Sequence, residues 1–185
     1  MKINVGVSNH HVHLKQDDFD ILFGINNKLI KKNDLNQPHN FASTSTVDLV
    51  TNKGIIKNVR VLGEIRNYTQ VEISKTDSYI LGINPPVRAS GHLDNSEEVT
   101  IVGPVGKITL KCCILADRHI HITKELQEKY GLNDTVSIKI GGEKGGILDD
   151  VHLKFSDDAF FELHIDTDEA NAFLLESGDE VEIIN

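Results

Sequence analysis

Short apolar and polar stretches alternate along most of the chain, which is the pattern of half-buried β-strands. The strongest strand signals are β-branched runs at residues 47–50, 58–62, 71–73, 99–102, 107–110, 136–140 and 181–184. Helical signals are confined to residues 16–23, 123–130 and 167–173, and a glycine follows the first two. The pattern therefore predicts a mainly β fold, made of small barrels with a few short helices.

Two H-x-H motifs lie in matching apolar frames, one at His11 and His13 and the other at His119 and His121. In an extended strand, residues i and i+2 point to the same face, so each pair can hold one metal ion. Nine histidines in 185 residues would produce about 0.4 such pairs by chance. Two pairs in matching frames indicate that the chain contains two copies of one unit.

A second match supports this internal duplication. Residues 53–61 align with residues 145–153, and both segments consist of a glycine turn followed by a strand. Continued without a gap, the alignment places Glu72 on His164, each eighteen residues after the glycine of its copy. Each copy then offers three candidate metal ligands, the pattern of a catalytic zinc site that keeps a fourth position open. The two sets are His11, His13 and Glu72, and His119, His121 and His164.

Two further segments need an interpretation. The first copy carries additional residues at 25–40, which we expect to form a surface loop, although Lys28, Lys31 and Lys32 could alternatively meet an anionic ligand. Residues 141–146 lack the Gly-Lys-Ser/Thr ending of a phosphate loop and lead into a strand. We therefore interpret them as a hairpin turn.

Composition narrows the classes of function. A net charge of −9 argues against general nucleic-acid binding, which needs a basic surface. No apolar run approaches the roughly 20 residues that span a bilayer, and the N-terminus does not resemble a signal sequence. Cys112 and Cys113 are adjacent and indicate a buried strand in a reducing compartment. We expect a soluble, intracellular protein without a membrane partner.

The motifs described so far resemble those of the PduL-type phosphate propanoyltransferases, which move an acyl group between coenzyme A and inorganic phosphate. The resemblance covers nearly the whole chain and rests on residues 5–8, 11–14, 58–63, 69–74, 86–88, 118–121, 141–145 and 162–171. It implies two tandem β-barrels with the active site between them. The first barrel domain is expected at residues 10–116 and the second at residues 117–185, completed by the N-terminal strand at residues 1–9.

The resemblance also assigns residues. It implies two zinc ions per chain, held by the two sets of candidate ligands given above. It places coenzyme A against Ser8, Lys32, Arg60, Leu62 and Asn171, with Arg66 and Arg88 facing phosphate. Arg66 is the residue expected to act in catalysis. The family usually has arginine before the first H-x-H motif, whereas this chain has His10, which cannot supply a permanent charge.

The expected function is a zinc-dependent phosphate acyltransferase. It would interconvert a short-chain acyl-CoA plus phosphate, on one side, with an acyl phosphate plus CoA on the other. The acyl-CoA would be propanoyl-CoA or acetyl-CoA. One zinc would bind the coenzyme A sulfur, while the other zinc and Arg66 would hold phosphate. The alternatives are a dinuclear zinc hydrolase and a non-catalytic, metal-binding component of a bacterial microcompartment.

Location is the last expectation. Members of this family often carry an N-terminal extension that targets them to microcompartments, and this chain begins directly on its first predicted strand. We therefore expect the bacterial cytoplasm, with a microcompartment as the alternative. The sequence leaves open whether copies of the chain associate into a homo-oligomer.

Overall fold

The computed structural model describes residues 1–184, and residue 185, the last of the predicted second domain, lies outside the described residues. Within residues 1–184 the chain forms fourteen strands and four short helices. The strands are β1 (Lys2–Ser8), β2 (His11–Lys15), β3 (Lys31–Asp34), β4 (Phe41–Val50), β5 (Ile55–Arg66), β6 (Gln70–Ile73), β7 (Val87–Arg88), β8 (Glu97–Val102), β9 (Lys107–Ala116), β10 (His119–Ile122), β11 (Thr135–Ile140), β12 (Gly146–Phe155), β13 (Glu162–Asp166) and β14 (Glu180–Ile184). The helices are α1 (Gln16–Phe23), α2 (Lys75–Leu81), α3 (Lys124–Tyr130) and α4 (Thr167–Phe173).

The chain divides into two compact units. The first unit is His10–Ala116, and the second unit combines Met1–Asn9 with the described residues from Asp117 onward. Each unit has its own buried apolar cluster. Each therefore has the core that a separate domain requires.

Six strands of the second unit close into a barrel in the order β1-β13-β10-β12-β11-β14. Strand β1 pairs in parallel with β13 and antiparallel with β14, so the first strand of the chain closes this barrel. Val5, Ile120, Ile138 and Leu163 are fully buried in its core. The alternation of apolar and polar residues along β1 follows from one face pointing inward.

Six strands of the first unit form a second closed ring, β4-β5-β2-β6-β9-β8, with β3 and β7 added at its edges. Its core contains Leu14, Leu49 and Ile101, all fully buried. Helix α1 contributes Phe19 and Leu22 to the same core. The predicted mainly β fold with two barrels is confirmed.

The pairings of the two rings correspond one to one. Strand β2 pairs in parallel with β5 and antiparallel with β6, as β10 pairs in parallel with β12 and antiparallel with β13. The other four pairings also agree in direction between the two rings. The internal duplication predicted from the motifs is therefore present in the strand order.

Two local predictions need correction. Residues 25–40 are not wholly a loop, because they contain β3, which pairs antiparallel with β4. Helix α2 was not predicted, although Ser74 and Asp77 form a capping box at its start and Gly82 ends it. The hairpin turn predicted at residues 141–146 is confirmed, because β11 and β12 pair antiparallel on either side of it.

Among the described residues, no helix is long and apolar enough to cross a bilayer.

Replacing Ile3 with alanine tests whether β1 completes the second barrel. Ile3 is 3% exposed, so the loss of its buried side chain should lower the free energy of unfolding by about 2–5 kcal/mol. Ile147 lies in the same unit and is 61% exposed, so Ile147→Ala should change it by no more than about 0.5 kcal/mol. Urea unfolding measures both values. Equal stability of the two variants would mean that β1 is not part of the core.

Candidate functional site

In each H-x-H motif, the residue between the two histidines points into a barrel core. Val12 and Ile120 are fully buried, and the histidines on either side of each point to the other face. The antiparallel neighbour of each strand carries the third candidate ligand. The register pairs His11 with Glu72 and His119 with His164.

The first candidate group, His11, His13 and Glu72, is nearly enclosed. The two histidines are 7% and 3% exposed, and their rings lie 4.9 Å apart at 88°. Glu72 Oε2 lies 3.4 Å from His11 Nε2, and its Oε1 lies 4.0 Å from His13 Nε2. One ligand atom from each residue lies within 4.8 Å of the others, as three ligands of one metal ion require.

The second candidate group, His119, His121 and His164, is more accessible. The Nε2 atoms of His119 and His121 face each other at 3.1 Å, and the ring of His164 lies 4.6 Å from that of His121. His119 Nδ1 lies 2.8 Å from the Asp117 carbonyl oxygen, to which a protonated Nδ1 donates. In the neutral ring that bond leaves the Nε2 lone pair for a metal.

In both groups, the residue two positions before the third candidate ligand supports that ligand. Gln70 Nε2 donates to Glu72 Oε1 over 2.5 Å, and Glu162 Oε2 lies 2.8 Å from His164 Nε2. A carboxylate is thus matched with an N–H donor and an imidazole with an acceptor. Sequence reasoning aligned these two positions without assigning them a role. The sequence signal for both positions is that each lies two residues before the third candidate ligand of its unit.

Arg66, the last residue of β5, belongs to a hydrogen-bond network that reaches the first candidate group. Its Nη1 donates to the Tyr68 hydroxyl over 2.7 Å and to Ser90 Oγ over 3.1 Å. Gln70 Nε2 donates to the same Ser90 oxygen over 2.9 Å as well as to Glu72. Ser90 therefore connects the arginine to the support of a candidate metal ligand.

Two more predicted residues lie next to the first candidate group. On β5, Arg60 is in register with His11, and Leu62 is in register with His13. Arg60 Nη1 donates to the Ser43 carbonyl oxygen over 3.0 Å, which holds its guanidinium along β4. Both residues are half-buried.

Lys32 and Arg88 lie in the edge strands of the first unit. Lys32 is in β3 and is exposed. Arg88 lies in β7, in parallel register with Ala116. It donates to the carbonyl oxygens of Asp94 and Val87, so two of its N–H groups hold its own loop.

Ser8 and Asn171 belong to the second unit. Ser8 ends β1 in parallel register with Asp166, and it is half-buried. Asn171 lies in α4 and is exposed. Helix α4 begins immediately after β13, the strand that carries His164.

A contact between a nitrogen-bearing side chain and a carboxylate lies beside each candidate group. His10 Nδ1 is 3.0 Å from Asp77 Oδ2 in the first unit, and Arg118 Nε is 3.2 Å from Glu169 Oε1 in the second. Burial opposes ionisation of Asp77, but hydrogen bonds from His10 and the Ser74 backbone outweigh it and lower its pKa. For Glu169, burial outweighs the opposing backbone hydrogen bond from Asp166, and its pKa is raised.

His152 also lies close to the second candidate group. It is exposed, its Nδ1 lies 2.6 Å from Asp117 Oδ2, and it is in register with His119 on the neighbouring strand. The same position in the first unit is Arg60, which is in register with His11. The two units thus carry different nitrogen-containing side chains at an equivalent position.

Comparison with known proteins gives one consistent result. The model of the phosphate propanoyltransferase family matches residues 4–176. A phosphate propanoyltransferase of Thermotoga maritima is 46% identical over 98% of this chain and 89% of the relative. Relatives of the same name from Rhodopseudomonas palustris and Priestia megaterium are 44% and 47% identical, over 98% and 96% of this chain and 82% and 83% of their own length.

Replacing Gly6 with alanine should disturb the second candidate group. A Cβ there would lie 2.8 Å from His164 Cδ2 and 2.9 Å from the Glu162 carboxyl carbon, so both side chains must move. We expect about tenfold weaker metal binding at this group, the cost typical of misplaced ligand supports. The matched control is Gly141→Ala, whose Cβ would meet no described atom within 4 Å. Metal analysis after gel filtration decides, and equal metal content of both variants would contradict the prediction.

Proposed function

The chain belongs to the phosphate propanoyltransferase family, and on that premise we propose that it interconverts a short-chain acyl-CoA and phosphate with acyl phosphate and CoA. Family membership makes it an enzyme that transfers acyl groups and confirms the resemblance seen in its motifs. The finer proposal is that the acyl group is propanoyl or acetyl and that zinc is required.

The single observation that carries the zinc proposal is the repetition of the three-residue group. Each unit brings three donors together at equivalent register positions, and no donor is a thiolate. Two imidazoles with a carboxylate, or three imidazoles, form an open zinc site in catalytic proteins. Zinc bound there would act as a Lewis acid and as a partner for thiolate sulfur.

We propose that Arg66 binds the phosphate substrate. Both of its described hydrogen bonds are made by Nη1, at one corner of the guanidinium. The remaining N–H groups can make the bidentate contacts that phosphate favours. The Tyr68 and Ser90 contacts fix the plane of the guanidinium, so the anion would meet an oriented donor.

The residues in contact with coenzyme A are also a proposal. Arg60 and Leu62 border the first candidate group and present a cation and an apolar surface side by side. These are chemical features that a phosphorylated thiol carrier with an uncharged pantetheine arm would use. Lys32 in the first unit, and Ser8 and Asn171 in the second, are the further contacts that we propose.

Removal of the metal tests the zinc requirement. Dialysis against a zinc chelator should abolish phosphate-dependent release of CoA from propanoyl-CoA, and added zinc should restore it, because the candidate ligands would lose their Lewis acid. Magnesium is the control and should not restore activity, since imidazole-rich sites bind it poorly. Thiol release is followed with a chromogenic disulfide, and the purified chain is analysed for metal. Full activity of metal-free protein would refute the proposal, and equal CoA release without phosphate would refute the reaction.

Replacing Arg66 with lysine tests the phosphate contact. We expect the KM for phosphate to rise about tenfold or more, with little change in the KM for acyl-CoA, because lysine cannot make the bidentate contact. Arg88→Lys is the comparison and should have a smaller effect, since Arg88 already uses its Nε–H for the Asp94 carbonyl oxygen, whereas Arg66 keeps the edge formed by Nε and Nη2 for the anion. Steady-state kinetics with phosphate as the varied substrate distinguish the two. If Arg88→Lys raised the KM for phosphate more than Arg66→Lys, Arg88 and not Arg66 would be the phosphate-binding residue.

A further inference from the structure

The contact between His10 and Asp77 has a counterpart in the second unit, in a frame that repeats residue by residue. The nitrogen-bearing residue of the contact directly precedes the H-x-H motif in both units, as His10 and as Arg118. The acid follows the third candidate ligand by five residues in both units, as Asp77 and as Glu169. The side chains differ in length and type, but each pair closes at a similar distance, 3.0 Å and 3.2 Å.

The position of each pair, next to the end of the pairing between the H-x-H strand and its antiparallel neighbour, indicates its role. The described pairing of β2 with β6 ends at His11 and Glu72, which are both candidate ligands. The pairing of β10 with β13 ends in the same way, at His119 and His164. Ligands at the last pair of a ladder would separate easily, because strand ends fray. The contact between His10 and Asp77, or between Arg118 and Glu169, connects the two chain segments beyond that end.

Both acids are fixed by the helix that follows the ligand strand. Asp77 and Glu169 are the third residues of α2 and α4, and each closes a capping box with the residue before its helix. The N-cap residues, Ser74 and Asp166, lie two positions after the third candidate ligand. The helix therefore begins at a fixed position immediately after the candidate ligand. The contact of its acid with His10 or Arg118 extends this restraint to the H-x-H strand.

We propose that His10 and Asp77 are a positioning pair, which holds His11 against Glu72 in the geometry for metal binding. This inference rests on the proposed metal function of the first candidate group. It also gives His10 a role that needs no permanent charge. Like Arg118, it lies within hydrogen-bond distance of a carboxylate of its own unit.

The test measures zinc affinity at the first candidate group alone. A His121→Ala background disables the second group, and zinc binding to the whole chain is then titrated in competition with a chromogenic chelator. His10→Ala should weaken binding by about 10–100-fold, the range found when partners of metal ligands are removed. His10→Arg keeps a donor for Asp77 and should stay within about threefold of the background.

A double-mutant cycle shows whether the two residues act through each other. Asp77→Ala removes the oxygen that faces His10, while Ser74 Oγ can still accept from the N–H of residue 77, so part of the capping box at the start of α2 remains. If the pair acts as a unit, His10→Ala combined with Asp77→Ala should bind zinc no more weakly than the weaker-binding single variant. The matched control is Arg118→Ala in the same background, which removes the equivalent pair of the second unit. It should leave this zinc affinity unchanged.

Each outcome has one meaning. The positioning role would be wrong if His10→Ala left zinc affinity unchanged, if the losses in the cycle were additive, or if Arg118→Ala caused an equal loss. The zinc proposal would stand in each of these cases. A background protein that binds no zinc would overturn the metal function of the first candidate group, and this inference with it. Circular dichroism melting of every variant separates loss of metal affinity from loss of the fold.

Discussion

The register between each H-x-H strand and its antiparallel neighbour is the constraint on which both candidate groups depend. A strand alternates its faces with period two, so two histidines two residues apart share a face only in extended conformation. The third ligand shares that face only if the neighbouring strand pairs in one register, His11 with Glu72 and His119 with His164. A slip of one residue would turn the third ligand to the other face. The buried Val12 and Ile120 oppose such a slip, because it would expose apolar residues.

The closed barrels make this register robust. Each ligand strand has a partner on both sides, parallel on one and antiparallel on the other. Neither strand lies at a sheet edge, where it could pair in a different hydrogen-bonding register. The first strand of the chain closes the second barrel, while β9, its equivalent, closes the first. The same arrangement is thus built twice, with the strand before each H-x-H motif placed in the other unit.

Much of this could be predicted from the sequence because period-two alternation and glycine stops are local signals. The three predicted helices and the six candidate ligands follow from such signals, and the structure brings those ligands together in two groups. Helix α2 was missed because its apolar stripe is short, although its capping box was readable at Ser74 and Asp77. The pairs of His10 with Asp77 and of Arg66 with Ser90 join residues 67 and 24 positions apart. Only the fold brings residues so distant into contact, and no local pattern marks them.

The identities of the residues at the third-ligand strand are coupled, and this coupling explains a fully buried glutamine. Gln70 uses its amide nitrogen for Glu72 and Ser90 and its oxygen for the Gly91 N–H, so each polar atom of its side chain is satisfied. A carboxylate there would lack those donors and repel Glu72. In the second unit the carboxylate stands at Glu162 and the ligand is an imidazole, whose N–H requires an acceptor. Each candidate group therefore has one carboxylate beside its imidazoles, as the candidate ligand Glu72 in the first unit and as Glu162, the support of His164, in the second.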